Sequence, residues 1–119
     1  MKYVYPAVFY RAIEGGYCIN FPDVSGAITQ ADDIFTALEM AEDVLAGMLC
    51  AWEDYKAGLS KTPMANRIVD PTPIEEVVAE PDEFSTSAFV TLIKADTDAY
   101  RKMLAEQKAS EKESIAKSA

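Results

Sequence analysis

Two adjacent glycines, Gly15 and Gly16, separate two stretches that alternate like β-strands, and no other feature limits the possible folds of this chain as much. Neighbouring glycines accept the positive φ that tight hairpin turns require, so Glu14-Gly15-Gly16 predicts a hairpin. The incoming strand spans Tyr3 to Ile13, with Tyr3, Tyr5, Ala7, Phe9, Arg11 and Ile13 on one side and Val4, Val8, Tyr10 and Ala12 on the other. Both sides are largely apolar, which predicts a strand covered on both faces or paired centrally. Pro6 carries no backbone donor and belongs near the strand's start or where its missing hydrogen is not needed. The outgoing strand is Tyr17 to Phe21. Pro22-Asp23 ends it, and Gly26 permits a bend into a short third strand, Ala27 to Gln30.

A long helix follows. Asp33 is its N-cap, and Asp32 beside it complements the positive helix end. Ile34, Leu38, Ala41, Leu45, Met48, Leu49, Trp52 and Tyr55 recur at three- and four-residue spacing and predict one buried stripe. Gly58 stops the helix after about 25 residues. Residues 59–83 carry Pro63, Pro71, Pro73 and Pro81 and predict a connector, with Ser60–Pro71 its exposed loop and Pro73-Ile74-Glu75-Glu76-Val77 one helical turn. Phe84 to Ala95 is the next strand, and its two apolar faces predict a central place in the sheet. Asp96 or Thr97 caps a second helix whose apolar face is Tyr100, Met103 and Leu104. The expected architecture is α+β: an antiparallel meander sheet covered by one long helix, with a further strand and a C-terminal helix. Its domain spans residues 1–104, and 105–119 is a polar tail expected to be disordered or a frayed helix.

Charge is distributed unevenly. Met1 to Asp98 holds 6 basic and 17 acidic residues, whereas Ala99 to Ala119 holds 5 basic and 3 acidic ones. So acidic a body repels a phosphate backbone and suits a basic partner. The chain has no histidine, which removes the commonest general base and metal ligand together. Its two cysteines, Cys18 and Cys50, have no zinc-like spacing and read as buried small apolar side chains. No apolar run approaches the ~20 residues of a membrane span, and a cytoplasmic protein is expected.

With the elements in this order, the residues themselves resemble the HicB-like antitoxins of bacterial toxin–antitoxin systems. The resemblance rests on Tyr5-Pro6-Ala7-Val8-Phe9, Glu14-Gly15-Gly16-Tyr17, Phe21-Pro22-Asp23-Val24 with Gly26, Thr29-Gln30-Ala31-Asp32 and Thr36-Ala37-Leu38-Glu39-Met40-Ala41. A second block, Phe89-Val90-Thr91-Leu92-Ile93-Lys94-Ala95-Asp96 with Ala99-Tyr100-Arg101-Lys102, extends it over most of residues 3–104. The resemblance implies a partial RNase H-like fold without nuclease machinery. It also implies a small basic partner, a HicA-type RNA-cleaving toxin whose active face the chain covers. Many relatives carry a C-terminal DNA-binding unit. The polar sequence after Lys108 can build neither a ribbon-helix-helix nor a helix-turn-helix, so no DNA binding is expected of it.

Two rival readings remain at this point. An active RNase H-like nuclease needs carboxylates converging from mid-strand on two metal ions about 4 Å apart. The strand interiors Val4–Ala12, Tyr17–Phe21 and Phe89–Ile93 contain none, so no catalytic or metal-binding residue and no cofactor is expected. A small-molecule binder or structural oligomerisation module is the other rival, and a homo-oligomer, dimer or tetramer, is expected in any case. Candidate toxin contacts are the acids of the sheet edge and helix start, Glu14, Asp23, Asp32, Asp33 and Glu39, with Phe21 as an aromatic contact.

Overall fold

The computed structural model describes residues 1–60 and 67–118, with side chains for 1–60 and 67–113. Strands β1 (Lys2–Ala12), β2 (Tyr17–Asn20) and β3 (Ile28–Ala31) lead into helix α1 (Ile34–Lys56), and β4 (Ser85–Asp96) leads into α2 (Thr97–Ser118). The four strands form one antiparallel sheet in the order β3-β2-β1-β4.

The hairpin forms where the glycines predict it. Gly15 and Gly16 take φ of +100° and +78°, and a Cβ on Gly16 would stand 2.9 Å from the Ala31 carbonyl oxygen. Glycine is therefore needed at Gly16 twice over, for its dihedral and for its closeness to β3. Pro6 lies at the end of β1 that the β2 ladder, starting at Val8, does not reach. Its missing donor is tolerated where β1 has a neighbour on one side only.

Odd-numbered residues of β1 and β4 face α1. Tyr5, Ala7, Phe9, Ile19, Ile93 and Ala95 join Ala37, Ala41, Leu45 and Leu49 in the core. Phe9 and Phe89 stack across strands with ring centroids 5.1 Å apart. Asp33 caps α1 by accepting hydrogen bonds from the Thr36 amide and hydroxyl at 2.8 and 3.0 Å. The helix ends with Gly58 at φ +74°, while the Gly58 amide donates to Tyr55 and the Leu59 amide to Asp54, closing the last turn. The buried stripe matches the expected one at Ala41, Leu45 and Leu49 and differs elsewhere: Ala37 also faces the sheet, whereas Ile34, Leu38 and Tyr55 are exposed. Alanines let the first half of α1 approach the strands closely, and the larger side chains then point away.

Position in the sheet also corrects the expectation for β4. Its two-sided apolarity predicts a central strand, yet it stands at an edge, paired only with β1 among the described residues. The apolarity of its second face belongs to Val90 and Leu92, which stand opposite Val8 and Pro6 of β1 on the side of the sheet away from the core residues Ile93 and Ala95.

The connector is partly pinned. Residues 61–66 of the expected exposed loop lie outside the described residues, but the segment from Arg67 to Thr72 is tied to the β2–β3 turn. Ile68 pairs with Val24, the Ser25 amide donates to Arg67, and the Val69 amide donates to Asp23. Tyr5 donates its hydroxyl to the Val69 carbonyl at 2.9 Å. A single 3-10 turn, Ile74–Glu76, follows Pro73. Asp96 accepts the Asp98 and Ala99 amides and so starts α2. The polar segment after residue 104 continues that helix to Ser118.

Candidate functional site

The first half of α1 is the most exposed apolar surface in the elements that carry the candidate residues. Of residues 34–43 only Ala37 and Ala41 are buried, while Phe35 is 72% and Leu38 41% exposed. The second half of the helix is different because α2 covers its back. Tyr100 lies against Gly47, where a Cβ would meet its hydroxyl oxygen at 3.3 Å. Arg101 reaches the Cys50 carbonyl at 3.1 Å, Glu53 at 3.2 Å and Asp54 at 3.0 Å. The four large apolar side chains Ile34, Phe35, Leu38 and Met40 therefore share the uncovered half with the exposed acids Glu39, Glu42 and Asp43. An exposed apolar cluster among charges is the usual character of a protein-binding surface.

Three of the sequence-predicted contacts belong to this region. Glu14 in the hairpin turn and Asp32 before α1 line one cleft of about 500 Å³, together with Tyr17, Thr36 and Met40. Glu39 is exposed on α1 itself. Asp33 stands beside them, but its carboxylate is occupied as a cap. The two Thr36 hydrogen bonds hold it below the usual carboxylate range.

Phe21 and Asp23 are placed elsewhere. Both are buried, Asp23 at 6% exposure. The Asp23 carboxylate accepts the Thr72 amide at 2.8 Å and the Thr72 hydroxyl at 2.7 Å, which makes it the clip that holds the connector. Phe35, Leu38 and Glu42 are surface residues that sequence reasoning passed over. Phe35 carried a usable signal, since it is a large aromatic residue outside the apolar stripe. Leu38 fitted that stripe and was assigned to the core for that reason.

A second electrostatic centre lies at the far end of α1. Burial pushes the Glu53 carboxyl up, but hydrogen bonds from Tyr3 at 2.7 Å, Arg101 at 3.2 Å and Thr97 at 3.0 Å outweigh it and leave Glu53 below its ordinary value. The same burial, with the Glu53 bond second, raises the Tyr3 hydroxyl to about 12. This network joins β1, α1 and α2 and is structural. A cleft of about 710 Å³ opens beside it, lined by Lys2, Lys94, Glu42, Asp43, Tyr100 and Met103 among others. It is larger than the cleft at the hairpin but includes none of the predicted contacts.

The fold defines a class of molecule, a single α+β sheet-and-helix unit with an acidic, partly apolar helix face. The fold alone is similar to that of a chain of a toxin–antitoxin complex from Streptococcus pneumoniae, at a TM-score of 0.58 and 23% identity over 84% of this chain and 73% of that one. The sequence comparison is more particular. The chain is 42% identical over 60 residues to a protein named antitoxin HicB 1 from Photorhabdus laumondii, and 39% identical over 51 residues to antitoxin HicB from Escherichia coli K12. These matches take in 50% and 43% of this chain but only 37% and 35% of the two relatives. No protein-family model matches the chain. The HicB-like resemblance read from the residues is thus borne out over about half of the chain, and the matched region spans little more than a third of the curated relatives' length.

Proposed function

We propose that this chain is a non-enzymatic antitoxin of the cytoplasm that binds a small basic HicA-type mRNA-cleaving toxin and covers its active face. Residues 1–104 form the binding unit, on a sheet we read as a partial RNase H-like fold, and the protein acts as a dimer or tetramer. The observation that carries the reading is the uncovered first half of α1, where Phe35 and Leu38 stand exposed beside Glu39, Glu42 and Asp43. Apolar anchors supply affinity at such surfaces, and the surrounding carboxylates steer a cationic partner and fix its orientation. Glu14 and Asp32 extend the acidic surface onto the neighbouring cleft. Similarity to proteins named antitoxin HicB supports the class of partner. The occupied carboxylates of Asp23 and Asp33 support a binding role over a nuclease one, since both groups are already committed to Thr72 and Thr36.

The test mixes the purified chain with the small basic protein encoded by the adjacent open reading frame. RNA cleavage by that protein is expected to stop at stoichiometric mixing. Phe35→Ala is expected to weaken the complex by about 2 kcal/mol, or roughly thirtyfold. Cleavage that continues unchanged in the presence of excess wild-type chain rejects the reading.

A further inference from the structure

One edge of the sheet leaves its backbone hydrogen-bonding groups unused. The Thr97 amide donates to the Met1 carbonyl at 2.9 Å, which makes residues 1 and 97 a hydrogen-bonded pair. The β1–β4 register carries that pattern along the ladder, so the odd-numbered residues from Ser87 to Ala95 exchange bonds with β1. The amides and carbonyls of Thr86, Ala88, Val90, Leu92 and Lys94 therefore point away from β1. Among the described residues none of these groups has a hydrogen-bond partner, and β4 pairs with no strand but β1.

Edge strands that stay single are guarded by a charge, a proline, a bulge or a cover. From Thr86 to Ile93 β4 has neither charge nor proline, and its register with β1 shifts only beyond Arg11. The connector packs beside β4 at Ile74–Glu76 but makes no backbone bond to residues 86–94. Phe89 is 40% and Leu92 51% exposed on opposite faces of the strand, so a further strand would cover apolar side chains on both sides. The charges beside the entry to β4 have one sign. Residues 73–84 hold Glu75, Glu76, Glu80, Asp82 and Glu83, all exposed, and no Lys or Arg.

We infer that the free edge of β4 takes an extended segment of the basic partner as a fifth strand. The inference rests on the toxin-binding reading and adds, to the side-chain surface of α1, a contact made through the backbone. Donors and acceptors that alternate at strand spacing are matched by another extended backbone, and the five carboxylates beside them select a cationic one. Two copies of this chain, each of net charge −9, repel one another, whereas a cationic segment is drawn in. The sheet is four strands wide, about 14 Å at ordinary spacing, so one small protein can touch α1 and this edge together. Backbone pairing then sets the partner's register, and Phe89 and Leu92 receive its alternate side chains.

Amide exchange of the full chain, read residue by residue with and without the small basic protein of the adjacent open reading frame, tests this. In the free chain Ser87, Phe89 and Thr91, bonded to β1, exchange slowly, and Thr86, Ala88, Val90 and Leu92 exchange fast. In the complex these four are expected to slow at least about tenfold relative to their odd-numbered neighbours, so that the alternation disappears. A partner resting on side chains alone leaves the alternation in place. Ala88→Pro removes one outward amide, which an edge strand tolerates, and Leu92→Lys sets a charge at a half-exposed position. Each is expected to raise the dissociation constant of the complex at least about tenfold while far-UV circular dichroism stays unchanged. A complex that forms and stops RNA cleavage but keeps the alternation overturns the inference and leaves the toxin-binding reading standing. Unaltered affinity in both folded variants overturns it as well. Slow exchange of the four amides in the free chain, growing with concentration, assigns the edge to a second copy and also overturns it. Absence of any complex rejects the toxin-binding reading and this inference with it.

Discussion

Gly16 and Gly15 differ in what surrounds them, and that difference is measurable. Gly16→Ala meets both the positive-φ penalty and the Ala31 carbonyl 2.9 Å away, and is expected to cost about 3 kcal/mol in urea denaturation. Gly15→Ala has open space around its Cβ and is expected to cost about 1 kcal/mol, the dihedral penalty alone. Asp23 and Asp32 make a second pair. Asp23→Ala removes both partners of Thr72 and is expected to destabilise by about 2 kcal/mol. Asp32→Asn is expected to shift the denaturation midpoint only slightly and to weaken binding of the proposed toxin, most at low salt. The turn glycines and the Asp33 cap were legible from the sequence because each acts within a few residues of itself. The Asp23–Thr72 clip was not, since its two halves lie 49 positions apart and no local pattern links them.

Ion pairs of Arg101 with Glu53 and Asp54 join α2 to one end of α1, beside the packing of Tyr100 on Gly47, and make that end sensitive to pH. Glu53 has a folded pKa below its ordinary 4.5, so its contribution is fully present above that value and is lost as pH falls through the lowered one. Tyr3 runs the other way. Its folded value of about 12 exceeds 10, so its share is present below pH 10 and is lost as pH rises from 10 to 12. Arg101→Met is expected to cost about 1 kcal/mol near neutral pH after allowing for solvent screening. The difference from wild type should shrink as Glu53 protonates. Trp52, stacked under Lys56 and next to Glu53, provides a fluorescence signal for both measurements. An Arg101→Met variant with an unchanged acid profile would show that the ion pairs do not link the helices. At this scale the order of elements was legible, because periodicity and punctuation residues mark each one. The facing of α1 was legible in part. Ala41, Leu45 and Leu49 of the expected stripe are buried, but in the first turns Ala37 takes the sheet-facing place while Ile34 and Leu38 are exposed, because spacing alone cannot choose between neighbouring stripes there.

For the whole molecule the acidic charge is the property with the widest reach. Association with a cationic toxin is expected to slow with added salt in stopped-flow mixing, and Glu39→Lys to flatten that dependence. A salt-independent association rate would show that the acidic face does not steer the partner. The charge imbalance was legible at once from the sequence. The pairing of β1 with β4 was not, because β4 joins the sheet from far along the chain. That pairing has a consequence for synthesis. β1 runs against β4 over its whole length, Lys2 opposite Asp96 and Ala12 opposite Ser85, so the first strand made must await nearly the last. Until then a nascent chain holds β2, β3 and α1 beside a β1 whose other edge is unpaired and apolar. Such long-range closure slows folding into the range of about milliseconds to seconds and prolongs exposure of that edge. Ribosome-bound chains ending before residue 85 should therefore remain protease-sensitive in β1, and become resistant only after Asp96 has left the exit tunnel.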